Sequence, residues 1–113
     1  MLLRTMLVLV LVPAGASAHA ILMQSQPAAG ASVPAGTMPV TVRFNSRIDH
    51  GRSRLTLRQN QSDTVLSLDP GVAPDVMTAT VTVAPGSYTL RWQVLALDGH
   101  VTRGDVPFTV RAP

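Results

Sequence analysis

The residues with the clearest metal-binding chemistry are Asp98 and His100, which lie in the segment ALDGHVTRG. Because side chains two positions apart in an extended chain point to the same face, the carboxylate and the imidazole should emerge together. Such a pair supplies two neighbouring ligands for a divalent transition metal. The alternative is an Asp-Gly turn followed by an incidental histidine, since an Asp-x-His sequence alone has little specificity. A further ligand is needed to favour the metal.

His19 supplies that ligand if a signal peptidase cuts the chain after Ala18. The surrounding segment ASAHA belongs to three overlapping small-residue cleavage signals, so cuts after Ala16 and after Ala20 are alternatives. A cut after Ala18 gives the new terminus an α-amine and an imidazole, whose Nδ1 closes a six-membered chelate on one metal ion. Together with the Asp-x-His pair this makes a planar set of nitrogens with one oxygen, which suits Cu(II).

The first part of the chain, MLLRTMLVLVLVPAGASA, has the features of a secretory signal peptide. Arg4 provides the positive charge, residues 6–12 are apolar, and a small-residue segment follows. A transmembrane anchor is the alternative, but the apolar run is much shorter than the roughly 20 residues that span a bilayer. We therefore predict an exported protein with a signal peptide over residues 1–18 and one domain over residues 19–113. Once processed, it should not span the membrane.

Composition excludes several classes of protein. The absence of cysteine rules out disulfides and thiolate metal sites. Every basic residue is arginine and every acidic residue is aspartate, and removal of Arg4 leaves eight arginines against six aspartates. A cluster of arginines between residues 43 and 58 raises the question of nucleic acid, but four aromatic residues are too few for base stacking. We expect no nucleic-acid partner.

Alternating apolar residues predict strands throughout the domain, and helical periodicity is nearly absent. The clearest strands are VTVRF, SYTLRWQV and DVPFTV, and weaker ones are predicted at residues 20–26, 54–58, 64–68 and 76–83. About seven short strands separated by Pro- and Gly-containing turns predict an all-β fold, a single antiparallel Greek-key β-sandwich. Trp92 and Tyr88 are expected in its core. Pro107 should lie on an edge strand or at a bulge, because proline cannot donate to a ladder.

Three segments together resemble the CopC-type periplasmic copper-binding proteins: HAILMQSQPAAGASV, VTVRFN and GSYTLRWQVLALDGHVTRGDVPFTV. The resemblance covers nearly all of the domain. It implies a cupredoxin-like or immunoglobulin-like sandwich that binds one Cu(II) through His19, Asp98 and His100. It also implies a role in copper homeostasis or resistance in the periplasm, with delivery of the copper to an inner-membrane copper transporter.

The chain departs from the family pattern at several positions. The early strand runs into FNSR where the family commonly has FSE, and Val101 follows DGH where proline is common. Some members carry a Met-rich Cu(I) site after the early strand, but residues 45–75 contain no methionine. The predicted mature chain has only Met23, Met38 and Met77, which argues against thioether ligation of Cu(I).

His50, in the segment RIDHGRS, has two interpretations. It could join Asp49 in a second, weaker metal site. The interpretation we favour is an exposed turn histidine among arginines, whose positive charge disfavours a bound cation.

Three classes of function follow from these residues. A Cu(II) carrier or buffer is the leading hypothesis, and a metal-free structural or interaction sandwich is one alternative. The other is an enzyme, because oxidative polysaccharide-cleaving enzymes also use an N-terminal histidine and a second histidine to hold copper. Such chemistry needs an open coordination position and aromatic residues that stack on sugar. Asp98 would fill that position and aromatic residues are scarce, so we expect no enzymatic activity.

Overall fold

The computed structural model describes residues 19–113, which form eight strands and one 3₁₀ turn, His50–Arg52. The strands are β1 (Leu22–Gln26), β2 (Ser32–Pro34), β3 (Gly36–Phe44), β4 (Arg54–Gln59), β5 (Ser62–Val65), β6 (Val76–Val83), β7 (Gly86–Leu95) and β8 (Val101–Arg111). The predicted signal peptide, residues 1–18, lies outside the described residues. Among residues 19–113, no helix is long and apolar enough to cross a membrane.

The strands form two sheets that pack face to face. The smaller sheet has the order β1-β3-β6, and the larger sheet has the order β2-β8-β7-β4-β5. All neighbouring strands are antiparallel except β2 and β8, which run parallel. Consecutive strands lie in different sheets at every connection except β4–β5 and β7–β8. The predicted all-β sandwich is therefore confirmed.

The core between the sheets contains the alternating apolar residues that the sequence indicated. On β7 the buried side chains are Tyr88, Leu90, Trp92 and Val94. The Trp92 ring packs edge-on against Phe44 with the ring centroids 5.1 Å apart. Burial of each large apolar side chain contributes about 1.5–3 kcal/mol to stability. Trp92 and Tyr88 are core residues, as predicted.

Gly104 allows the close approach of Trp92 to β8. The two residues are register partners, and a Cβ on Gly104 would lie 2.5 Å from Cζ2 of the indole. Real Cβ atoms do not come so close, so a larger residue here would push the two central strands of the larger sheet apart.

Two strand predictions need correction. The strand predicted at residues 64–68 is observed as Ser62–Val65, and one further hydrogen bond, from the Leu66 N–H to the Leu55 carbonyl of β4 at 2.9 Å, follows it. Leu66 and Leu68 pack against the core from outside the strand, so their alternation resembled a strand pattern. No strand was predicted at residues 32–34, but this segment forms β2 and pairs with the end of β8.

Pro107 lies on a strand that is an edge only along part of its length. β8 has β7 on one side, whereas β2 covers only residues 109–111 on the other side. The Pro107 carbonyl accepts a hydrogen bond from the Gly30 N–H at 2.7 Å, on the side away from β7. The missing N–H of proline points to this same side, so no ladder bond to β7 is lost.

Candidate metal centre

His19, Asp98 and His100 meet at one end of the sandwich. Their candidate ligand atoms all lie within 4.8 Å of one another, and they form the only cluster of three or more such residues within residues 19–113. The two imidazole rings have centroids 4.5 Å apart and are tilted by 37°. His19 comes from the start of the domain and the other two come from the loop between β7 and β8. The fold thus joins two distant parts of the sequence.

The β7–β8 loop, residues 96–100, is a tight turn with its own hydrogen bonds. The Gly99 N–H donates to the Ala96 carbonyl at 3.0 Å, and the Ala96 N–H donates to the His100 carbonyl at 2.9 Å. Gly99 has φ of 89°, a left-handed conformation that favours glycine. The side chains of Asp98 and His100 therefore lie on the same side of the loop because of this turn, and not because the segment is extended as its spacing predicted.

Asp98 organises the turn through both carboxylate oxygens. Oδ1 accepts the His100 backbone N–H at 3.0 Å, and Oδ2 lies 2.8 Å from Nδ1 of the His100 ring. The backbone hydrogen bond is the main cause that lowers the pKa of Asp98, with smaller contributions from the His100 side chain and from His19. Burial acts in the opposite direction and is the second-largest influence on this pKa, but the net direction is downward.

The ionised Asp98 carboxylate also selects the tautomer of His100. A carboxylate can only accept, so Nδ1 of His100 must be the donor in this contact. In the neutral ring Nε2 then carries the free lone pair. Nε2 is therefore the atom that can bind a metal. An Asp–His contact of this kind orients and strengthens histidine ligands in metal sites.

The N-terminal segment is fixed by contacts that the sequence analysis did not predict. Ala20 is buried, and its carbonyl accepts a hydrogen bond from the Thr102 hydroxyl at 2.9 Å. The Ile21 N–H donates to Oδ1 of Asn45 at 2.8 Å, and the Asn45 N–H donates to the Ile21 carbonyl at 3.0 Å. These contacts hold the chain beside His19, so the imidazole is brought to the loop by the fold.

Asn45 coincides with a departure from the family pattern noted above, the FNSR segment. That departure was the one sequence signal for its role. Thr102 gave no signal, because its contact with Ala20 joins residues 82 positions apart.

His50 is partly buried, so the favoured interpretation of an exposed turn histidine needs correction. Its Nε2 lies 2.6 Å from the Val76 carbonyl, which ties the 3₁₀ turn to the start of β6. Its neighbour Asp49 lies 3.9 Å from Arg52. Within the described residues, no cluster of three candidate ligands includes either residue of the pair.

The methionines of the domain lie in different environments. Met77 is fully buried in the core, whereas Met23 is 58% exposed on β1. Met23 and Met77 therefore do not form a solvent-facing pair of thioether ligands.

The structure is thus a small β-sandwich with a histidine–aspartate cluster of candidate metal ligands at one end. A family model described as the CopC domain matches residues 22–111, and the chain belongs to this family. The family is periplasmic and binds copper, and its members are not enzymes. The expected absence of enzymatic activity is confirmed by this membership.

Individual relatives agree with this assignment. The crystal structure of CopC from Methylosinus trichosporium OB3b has a TM-score of 0.72 and 27% identity, over 83% of this chain and 95% of that one. Protein YobA of Escherichia coli K12 is 28% identical over 83% of this chain and 80% of its own length. Copper transport protein CutJ of Bacillus subtilis is 24% identical over 93% of this chain, but over only 20% of its own length.

Proposed function

We propose that the mature protein, residues 19–113, is a periplasmic Cu(II)-binding protein of copper homeostasis or resistance. It binds one Cu(II) through His19, Asp98 and His100. This proposal rests on the cluster of candidate ligand atoms, which lie within 4.8 Å of one another although they come from the beginning and the later part of the domain sequence. Membership of the copper-binding CopC family supports copper as the ion.

The ligand chemistry requires removal of residues 1–18. Before cleavage the His19 nitrogen belongs to a peptide bond and is not a basic donor. After a cut following Ala18, the α-amine and Nδ1 of His19 chelate the ion, and Nε2 of His100 and a carboxylate oxygen of Asp98 complete the set. Nitrogen-rich, planar coordination is the preference of Cu(II) among the common divalent ions.

Exposure of the site supports a role in transfer. Asp98 and His100 are exposed, so a partner can reach the ion without unfolding the domain. A domain similar to this chain makes up 20% of a protein named for copper transport. We therefore propose that the copper passes to a copper transporter of the inner membrane.

A single added residue tests the site. Protein beginning at His19 is compared with protein carrying one Gly before His19, by Cu(II) titration against a competing chelator. We expect the added Gly to weaken Cu(II) binding by at least about a hundredfold, since loss of a ligand should exceed the 10–100-fold effect of its supporting contacts. Fluorescence of the buried Trp92, the only tryptophan, serves as the control for folding.

The outcomes are distinct. Equal affinities would show that the α-amine is not a ligand. Failure of both forms to bind Cu(II) stoichiometrically would leave a metal-free interaction domain. The intact mass of the exported protein identifies the cleavage position independently.

A further inference from the structure

A row of polar residues crosses the outer face of the larger sheet next to the metal end. Arg54 on β4 pairs with Gln93 on β7, and Gln93 pairs with Arg103 on β8. The last register pair of β7 and β8 before the loop that holds Asp98 and His100 is Leu95 with Val101. The pair Gln93 with Arg103 lies two register steps further from that loop. Neighbouring strands are about 4.8 Å apart, so the two arginine Cα atoms are separated by roughly 10 Å.

The positive charge of this row is not neutralised within residues 19–113. Neither Arg54 nor Arg103 takes part in an ion pair of the described residues, and both are exposed. In the two following rows the arginines are neutralised on the same face. Arg91 contacts Asp105 at 3.1 Å, and Arg58 contacts Asp63 at 3.5 Å. Arg54 and Arg103 are thus the unpaired arginines nearest the metal site on this face, whereas Arg111, at the far end of β8, donates to the Ser32 carbonyl at 2.6 Å.

Exposed apolar side chains border the same row. Leu97, which immediately precedes Asp98, is 68% exposed, and Val101, which immediately follows His100, is 48% exposed. Val101 and Arg103 are two positions apart on β8 and so point to the same face. Large exposed apolar side chains beside a polar site are typical of interaction surfaces.

We infer that Arg54, Gln93, Leu97, Val101 and Arg103 form a docking face for a partner protein that presents an apolar contact flanked by acidic side chains. The part of this inference in which the partner takes copper rests on the proposed function, but the docking itself does not. An acidic partner satisfies the two free guanidinium groups and buries Leu97 and Val101. Electrostatic complementarity of this kind increases association rates and selects partners.

Other occupants fit this face less well. A second copy of the chain would place arginine rows against each other. Nucleic acid would find no stacking surface, because Phe44, Tyr88, Trp92 and Phe108 are all buried in the core. An anionic membrane is flat and broad, so it would also meet the carboxylates that neutralise the neighbouring rows.

The test measures binding of a defined acidic peptide, acetyl-ELEELE-amide, to copper-free exported protein by changes in backbone amide NMR signals. We expect these changes on the docking face. The variant Arg54→Gln with Arg103→Gln should weaken binding roughly tenfold, which corresponds to about 0.7 kcal/mol for each exposed charge. The matched control, Arg43→Gln with Arg47→Gln, removes two exposed arginines elsewhere and should change the Kd less than about twofold.

Several results would overturn the docking face. These are equal weakening in the two double variants, signal changes elsewhere on the protein, or stronger binding to phosphatidylglycerol vesicles than to the peptide. Equal binding of the lysine analogue, acetyl-KLKKLK-amide, would also overturn it. Cu(II) titration of the same variants separates the two proposals. Peptide binding without copper binding would refute the copper function and support the docking face.

Discussion

Two regions of the molecule place an aspartate beside a histidine, but only one of them presents its groups together to solvent. In the β7–β8 loop, the turn at Gly99 and the hydrogen bonds of Asp98 aim the His100 ring outward, where His19 meets it. In the 3₁₀ turn, His50 follows Asp49 directly, and its Nε2 is occupied by the Val76 carbonyl. The residue types are shared, and one nitrogen of each ring is hydrogen-bonded. The His100 side chain, however, is 61% exposed beside His19, whereas His50 is partly buried and belongs to no cluster of three candidate ligands within residues 19–113.

The difference indicates what would let a turn hold a metal ion. The His50 ring joins two segments of backbone through the contact of its Nε2 with the Val76 carbonyl. Asp98 instead fixes the His100 ring through Nδ1, so the Nε2 edge of that ring remains available to a metal ion. Spacing also matters, because adjacent residues diverge while residues in a closed turn can converge.

Replacement of His100 by Ala should cause the largest loss of Cu(II) affinity, at least about a hundredfold. A nitrogen ligand lost from a planar Cu(II) site cannot be replaced by water without a large change in ligand field. Electron paramagnetic resonance of the copper-loaded variant provides the measurement, with fewer nitrogen couplings expected. An unchanged spectrum would remove His100 from the site.

Replacement of Asp98 by Ala should weaken Cu(II) binding less, by about tenfold to a hundredfold. Water can partly replace a carboxylate oxygen, but the variant also loses the contacts that orient His100. Asp98→Asn separates these roles, since its amide oxygen can still accept the His100 backbone N–H. If Asp98→Ala costs more than His100→Ala in competition titrations, the order of ligand importance is wrong.

Acidification should release copper between about pH 6 and pH 4, because protons compete with the ion for the imidazole and amine nitrogens. Asp98 should stay ionised through this window, since hydrogen bonding to His100 lowers its pKa. The stabilisation from its carboxylate is present above its unfolded pKa and is lost as pH falls through the lower folded value. Copper should therefore leave while the loop is still ordered.

Equilibrium dialysis and the NMR signal of the His100 amide measure the two events separately. Full copper retention at pH 3 would argue against ligands of this type. Loss of the loop signal before the copper would show that the turn, and not the ligands, controls release.

The sequence predicted the sandwich and the meeting of His19, Asp98 and His100 better than it predicted the contacts that hold them. Val40, Val42 and Phe44 alternate clearly because a strand buries one face, and that pattern is local. Leu66 and Leu68 continued such a pattern outside any strand, because packing against the core requires only apolar residues. The contact of Thr102 with Ala20 has no local pattern at all, because it depends on the closure of the fold.

Replacement of Thr102 by Val tests that support. The change keeps the side-chain shape but removes the donor to the buried Ala20 carbonyl, which should cost about 1–3 kcal/mol of stability. Because Ala20 holds His19, Cu(II) affinity should also fall, by about tenfold. Thr82→Val is the matched control, since it removes a hydroxyl that contacts Thr37 on the smaller sheet. Equal copper affinity in the two variants would limit Thr102 to a role in folding.

Replacement of His50 by Ala should have the smallest effect on copper, with affinity and stoichiometry unchanged within about twofold. The surrounding Arg47, Arg52 and Arg54 disfavour a cation here, and Nε2 is already bound to the Val76 carbonyl. Loss of that contact should instead lower the free energy of unfolding by about 1 kcal/mol, or roughly 4–8 °C in Tm for a domain of this size. His50→Gln keeps a side-chain donor and should recover part of this loss, whereas a role in copper binding would not be restored by an amide. Thermal unfolding of the copper-free variants and Cu(II) titration of each separate the two roles. Loss of a second equivalent of bound copper in His50→Ala would show that this turn is a metal site after all.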